Sequence, residues 1–390
     1  MGEHGPLAGM LVVGLEQSVA GPLCTRILGD MGATVVKVER PPLGDFARRW
    51  DDNVHGECAQ FWWLNRRKQS VALDLKSPDG RRAFDALLAR ADVLVVNQSP
   101  AATERLGLTR EALAEQYPTL VTCSISGYGA DGAFRDRKAY DMLVQAETGV
   151  MSLTGTPEQP TRVGVSIADV GTGIYAAALV LGAVVGRLRA ERGAYLDVAM
   201  FDATLEFAGP MLLSFLNAGL IYPRLPDRHH AISPYGIFEC ADGARLLLAV
   251  QNDAEWRRFA EVVVGRPELA DDPRYATSVS RLANRQEVDP IAADALRRLS
   301  KAEATRLLDE AWIAYGSVND MGEVAEHPVT RDRGLLADVE MAGGETARTL
   351  LGIAERLFGA NGSGGRERPP LVGEDTAAML ELLGLAGTTT

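Results

Sequence analysis

The sequence predicts an α/β protein: a parallel sheet covered by helices on both faces, with a second, smaller α+β domain. Three observations predict it. Short β-rich runs alternate with helical ones through the first half of the chain. The strand candidates are almost continuously apolar, as strands buried on both faces are. Around Tyr222–Pro234 the texture changes, with Pro223, Pro226 and Pro234 interrupting the chain. At 390 residues the chain also exceeds one comfortable core, so two domains are expected.

The elements follow in order. Strands are expected at Met10–Leu15, Ala33–Glu39, Ser70–Leu75, Val93–Asn97 and Leu120–Ser126. Helices are expected at Pro22–Met31 and Pro78–Ala91, the second capped by Ser77 with proline at its first position. Val170–Gly186 is uncharged, carries Gly171, Gly173, Gly182 and Gly186, and is closed by Arg187 and Arg189. It falls slightly short of a membrane span, and a buried helix at a domain or subunit interface fits it better. Gly236–Val250 reads as a hairpin turning at Ala241-Asp242-Gly243. Helical segments rich in Arg, Glu and Ala follow to about Ala311, then a Gly/Ser linker at Gly359–Pro370 and a short helix at Asp375–Leu385. The expected division is 1–200 for the first part of a large domain, 225–320 for the small domain and 330–390 for a segment returning to the large one.

Composition narrows the function. A net charge of −12 argues against nucleic acid or an anionic membrane as partner. Cys24, Cys58, Cys123 and Cys240 lie far apart, without zinc-type spacing, which fits free thiols in a reducing, cytoplasmic setting. Residues 1–10 lack the basic and apolar regions of a signal peptide. No metal triad, Walker-type loop or Gly-x-Ser-x-Gly elbow is expected to carry chemistry.

Asp169 is the candidate for chemistry. It stands in Gly-Val-Ser-Ile-Ala-Asp-Val-Gly-Thr-Gly, at the mouth of the uncharged helix. An Asp there caps a helix by accepting from first-turn N–H groups, or serves as a nucleophile that those groups keep ionised. Gly127-Tyr-Gly129-Ala-Asp-Gly132 follows a strand but runs into a charged loop rather than an apolar helix, so a nicotinamide fingerprint is disfavoured and a glycine loop for close ligand approach remains. Arg40, Lys76, Arg105 and Lys138 each follow a strand end or a glycine turn. In parallel sheets ligands bind beyond the carboxyl ends of the strands, and phosphates need positive charge there. His229-His230 reads as a surface or hairpin pair.

The segment Ala20-Gly-Pro-Leu-Cys-Thr-Arg-Ile-Leu-Gly-Asp-Met-Gly-Ala33 closely resembles the opening of the class III coenzyme A transferases, typified by formyl-CoA transferase and the carnitine CoA-transferase. The resemblance continues through Asn65–Lys76, Ala91–Asn97, Glu104–Leu108, Ser126–Gly129, Tyr140-Asp141, Gln145-Ala146, Gly193–Asp197, Pro234–Phe238 and Pro370–Thr376. It implies that Asp169 is the nucleophile. It also implies that Ser18, Val19, Ala20, Arg40, Leu73, Lys76, Asn97, Gln98, Arg105 and Lys138 contact coenzyme A, with Tyr140 beside the site. Further implied are a Rossmann-like large domain, an interlocked homodimer, an acyl-CoA and a carboxylic acid as substrates, and no prosthetic group.

The chain departs from the family in several places. It reads Val96-Asn-Gln-Ser-Pro-Ala101 where the family often has Glu-Asn-Phe-Arg-Pro-Gly, and Val19 replaces a glutamine of the formyl-CoA enzyme. That enzyme's tetraglycine loop is absent, which points away from formyl or oxalate substrates. Asp375 stands where the family often has His, a structural position. Arg228-His229-His230 resembles the subgroup that uses succinyl-CoA and small dicarboxylates such as mesaconate, itaconate or citramalate; Arg48, Arg49, Arg162 and Arg228 are candidate carboxylate clamps. Two rival readings stay open. An α-methylacyl-CoA racemase needs a His near Lys138–Tyr140, where none stands, and a non-catalytic acyl-CoA-binding protein would not need Asp169.

Overall fold

A computed structural model describes residues 5–359 and 366–387. Six strands form one wholly parallel sheet: β1 (Leu11–Leu15), β2 (Thr34–Glu39), β3 (Gln69–Ala72), β4 (Val93–Val96), β5 (Val121–Ser126) and β6 (Ala194–Ala199). Their order is β3-β2-β1-β4-β5-β6, so the winding reverses between β1 and β4. That is the doubly wound arrangement whose switch point binds ligands. The five strands expected are present, within a few residues at their ends. The sixth was read only as a motif.

The strand core is apolar because both faces are covered. Val12, Val35, Val93, Val95, Val121, Cys123 and Ile125 pack on one side with α1 (Ala20–Asp30) and a long helix, Ile167–Ala190. Val13, Val36, Val38, Val71, Leu94 and Val96 pack on the other with α2 (Pro78–Leu88). Ser77 caps α2 by accepting from the Gly80 amide at 2.9 Å, with Pro78 at the first position as expected. The long helix lies against α1, and Gly173 is required there. A Cβ on it would stand 2.8 Å from the Ala20 carbonyl oxygen.

The edge strand β3 is not left open. Asp375 accepts from the Ser70 amide at 2.9 Å and its own N–H returns to the Ser70 carbonyl, while Thr376 Oγ1 accepts from the Ala72 amide at 2.9 Å. Asp375 is therefore a structural ligand of the sheet. A helix at Thr376–Leu382 follows, shorter than the span expected. Half of the Gly/Ser linker, residues 360–365, lies outside the described residues.

The chain divides into two compact units: Met1–Met151, Arg162–Leu213 and Arg331–Thr390 in the first, Ser152–Thr161 and Ser214–Thr330 in the second. The second unit contains the expected hairpin, β7 (Tyr235–Glu239) with β8 (Arg245–Ala249), and a further antiparallel strand, β9 (Ala314–Ser317). Its core is built on Trp256, Phe259, Leu246, Leu248, Val288 and Leu308. A hairpin in the first unit, β10 (Leu336–Glu340) and β11 (Thr346–Leu350), was not expected.

Candidate active site

The loop after β1 is the first part of the site. Ser18 has a positive φ of 67°, an uncommon conformation for a side-chain-bearing residue. Two neighbours hold it there. Its amide donates to Asp45 Oδ1 at 3.2 Å, and the preceding Gln17 amide donates to Asn97 Oδ1 at 2.9 Å. Asn97 Nδ2 returns to the Gln17 carbonyl at 2.7 Å, so one side chain bridges the ends of β1 and β4 across the switch point. Beneath this loop sits a buried ionic network. Glu16 accepts from Lys68 Nζ at 2.7 Å and Thr25 Oγ1 at 2.7 Å, and Lys37 Nζ donates to Asp45 Oδ2 at 2.9 Å.

Two clefts open at the carboxyl ends of the strands. One, of about 550 Å³, is lined by Leu15, Arg40, Leu73, Lys76, Gln98 and Arg105, among others. Its cations come from the loops after β2 and β3 and from the short helix Pro100–Arg105 after β4, on the side that parallel topology requires. The other, of about 420 Å³, is lined by Gln17, Ser18, Ala20, Asn97, Gln98, Lys138, Tyr140, Asp141 and Asp169. Gln98 belongs to both. Of the residues singled out from the sequence, ten side chains or backbones therefore line these two clefts together with Asp169. Val19 does not: its side chain packs inward with Leu23, Leu64 and Val170.

Asp169 lies in the first turn of the long helix, here α4 after α3 (Asp141–Glu147). The structure corrects two expectations about it. Asp169 is not the helix cap; Asp141 takes that part from α3, its Oδ1 accepting from the amides of Ala168 at 2.8 Å and Asp169 at 3.3 Å. Nor is Asp169 an ordinary carboxyl. Burial and the negative charge of Asp141 push it up to about 7. Among the described residues its carboxylate accepts no hydrogen bond. Such a group is poised between neutral and charged near physiological pH, and its ionised form is a bare, reactive nucleophile.

In the glycine loop after β5, the Gly129 amide donates to Ser126 Oγ at 3.0 Å. Gly127 is needed for a close approach, since a Cβ on it would overlap that of Ala139 at 2.2 Å. Among the clamp candidates, Arg48 is bound to Glu39 at 2.6 Å and lies over the Phe61 ring, while Arg228 pairs with Asp227 and Asp289 at 2.9 and 3.3 Å. Both serve the fold. Among the described residues, the Arg49 and Arg162 side chains donate to backbone carbonyls, those of Leu43 and Val163. His229 stacks on His230 and Tyr235 at 4.6 and 4.7 Å, within the second unit, as a hairpin pair does.

A doubly wound sheet with a basic cleft at the carboxyl ends of its strands, beside a second cleft that holds a half-buried carboxylate, suits an enzyme for phosphate-bearing substrates. The chain belongs to CoA-transferase family III, whose sequence profile matches residues 7–376, and it is a CoA-transferase of that class. It is 34% identical over 384 residues to a succinate–glutarate CoA-transferase of Agrobacterium fabrum, covering 96% of this chain and 95% of that protein. It is 36% identical to an acetyl-CoA:oxalate CoA-transferase of Acetobacter aceti, over 85% of each chain. It is 33% identical to a succinyl-CoA:mesaconate CoA-transferase of Haloarcula hispanica, over 99% and 98% of the two. A crystal structure of a CaiB/BaiF family protein from Brucella suis superposes with a TM-score of 0.82 at 30% identity, covering 97% of this chain and all of that one.

Proposed function

We propose that this enzyme moves coenzyme A from an acyl-CoA, with succinyl-CoA the favoured donor, to a C4–C5 dicarboxylate such as mesaconate, itaconate or citramalate, with Asp169 as nucleophile. One observation carries the site assignment: Gln98 lines both the basic cleft of Arg40, Lys76 and Arg105 and the cleft of Asp169, which sets the two side by side. A cosubstrate with a phosphorylated head and a thioester tail needs that arrangement. The ionised Asp169 attacks the thioester carbonyl, forming an acyl anhydride and releasing CoA thiolate. The thiolate attacks the aspartyl carbonyl, releasing the donor acid and leaving an aspartyl thioester. The acceptor carboxylate then attacks that thioester, and the reverse sequence regenerates Asp169 and yields the new acyl-CoA. Overall one thioester is exchanged for another of similar energy, so the transfer needs no ATP.

The relatives named for glutarate, mesaconate and oxalate support a diacid acceptor. Oxalate is the second reading, favoured by the Acetobacter aceti relative. A panel of acyl-CoA donors and acids, assayed by mass spectrometry of the CoA products, separates them. Transfer is expected to be fastest with a C4–C5 diacid; faster transfer to oxalate or to any monocarboxylate would overturn the substrate assignment. We also infer a homodimer with interlocked chains. Its support is the flank of α4 on which Ile174, Tyr175, Leu179, Val185 and Leu188 stand exposed, a row of large side chains unusual for a free surface. Sedimentation showing a monomer at micromolar protein would contradict it.

A further inference from the structure

Gln145 is fully buried, on the same face of α3 as Asp141 one turn earlier. Its Nε2 donates to Asp141 Oδ2 at 2.7 Å, and its Oε1 accepts from the Val163 amide at 2.9 Å. Asp141 in turn holds the Ala168 and Asp169 amides through its other oxygen. One neutral amide thus ties together the three segments that frame Asp169: α3, the strand of loop at Val163, and the first turn of α4. A buried amide whose two ends meet an anion and a backbone donor is fixed in orientation.

We propose that Gln145 is a positioning residue for the transfer reaction: by donating to Asp141 it fixes that carboxylate beside the first turn of α4 and so sets how its charge acts on Asp169. The inference rests on Asp169 being the nucleophile. A like charge beside a carboxyl disfavours its ionised form, so where that charge is held matters. Asp141 receives two backbone donors and one side-chain donor, whereas Asp169 receives none among the described residues. The other groups lining the cleft are accounted for. Arg135 pairs with Glu104 and Arg137 with Glu147; Asp136, Lys138 and Tyr140 come from the loop before α3. On the helix Met200–Phe207, which packs against α3 and α4, Asp202 and Glu206 are exposed. The charge that raises Asp169 is that of Asp141.

The bonding pattern can be reversed without being lost. In the double variant Asp141→Asn, Gln145→Glu, the new amide at 141 accepts from the Ala168 and Asp169 amides and donates to the new carboxylate at 145. That carboxylate still accepts from Val163. Total charge is unchanged, but the negative charge sits one hydrogen bond further from Asp169. Gln145→Glu alone sets two carboxyl groups against each other and is expected to lower kcat about tenfold or more, with KM for the donor within about threefold. The double variant should recover kcat to within about threefold of the unsubstituted enzyme. Its acidic limb in CoA-exchange rate against pH should lie at least about half a unit lower. Recovery with an unmoved limb would reduce Gln145 to a structural part, and failure to recover activity or fold would overturn the proposal outright. Hydroxylamine trapping on the unsubstituted enzyme keeps the two readings apart. A label absent from Asp169 removes the nucleophile assignment and this inference with it, whereas a label present with an unrescued swap removes only the role of Gln145.

Discussion

Asp169→Asn is expected to abolish acyl transfer while CoA binding stays within about tenfold of the unsubstituted enzyme. Asparagine is nearly isosteric, so the first turn of α4 and its bonds to Asp141 persist, but an amide cannot form an anhydride. Loss of at least about a thousandfold in CoA exchange is the anticipated result. The opposite pattern is expected for Arg40, Lys76 and Arg105 changed together to alanine: affinity for CoA falls, because the cleft they line loses the charge that pairs phosphates. Calorimetry on both variants tests the division of labour between the clefts. If Asp169→Asn retained more than about a tenth of the exchange rate, or the triple variant bound CoA unchanged, the site would be misassigned.

Glu16→Leu is expected to destabilise the protein by about 3–5 kcal/mol, the range for breaking a buried ion pair. Glu16 is 4% exposed and is held by Lys68 and Thr25, with Lys37 at 3.7 Å. Lys37 keeps Asp45 as direct counter-charge after the substitution, whereas Lys68 keeps, among the described residues, the Asn65 side chain and the Pro22 carbonyl as hydrogen-bond partners and the weaker pull of Asp45. Burial already pulls its ammonium down to about 8 with Glu16 present. An uncompensated charge there is the source of the loss, and urea unfolding measures it. A change under about 1 kcal/mol would mean the network contributes little. Because Glu16 precedes the Gln17–Ala20 loop, the same variant should also loosen the ordering of Ser18.

How far the sequence spoke depended on how local each signal was. β1 and β4 were legible because a strand buried on both faces is written as an almost unbroken apolar run, and β2 and β5 because β-branched and apolar residues dominate them, despite Lys37 and Glu39 in β2 and three hydroxyl side chains in β5. β6 was missed because it lies at the sheet edge, where Ala-Tyr-Leu-Asp-Val-Ala mixes exposed Asp197 with half-buried neighbours. The cations of the basic cleft were legible because parallel topology sends every strand end to one side. Arg48 and Arg228 were misread because nothing in the sequence tells that Glu39 and Asp289 neutralise them. Asp141 and Gln145 carried no chemical signal of their own; their importance arises only where α3 meets a helix whose first turn comes 26 residues later. The expectation that first-turn N–H groups hold Asp169 ionised failed for the same reason, since burial and a neighbouring charge are tertiary facts.

The clasp on β3 joins residues 305 positions apart. During synthesis, which delivers a chain from its N-terminus, β1 to β5 leave the ribosome long before Asp375 and Thr376 do. The amides of Ser70 and Ala72 stay open throughout that interval. The smaller unit, largely one continuous stretch from Ser214 to Thr330, is released whole while its larger neighbour still waits for a third segment. The timetable of birth therefore inverts the order of the map: what is begun first is finished last. A nascent chain stalled before residue 375 carries an unpaired strand edge, the surface at which half-made copies stick to one another.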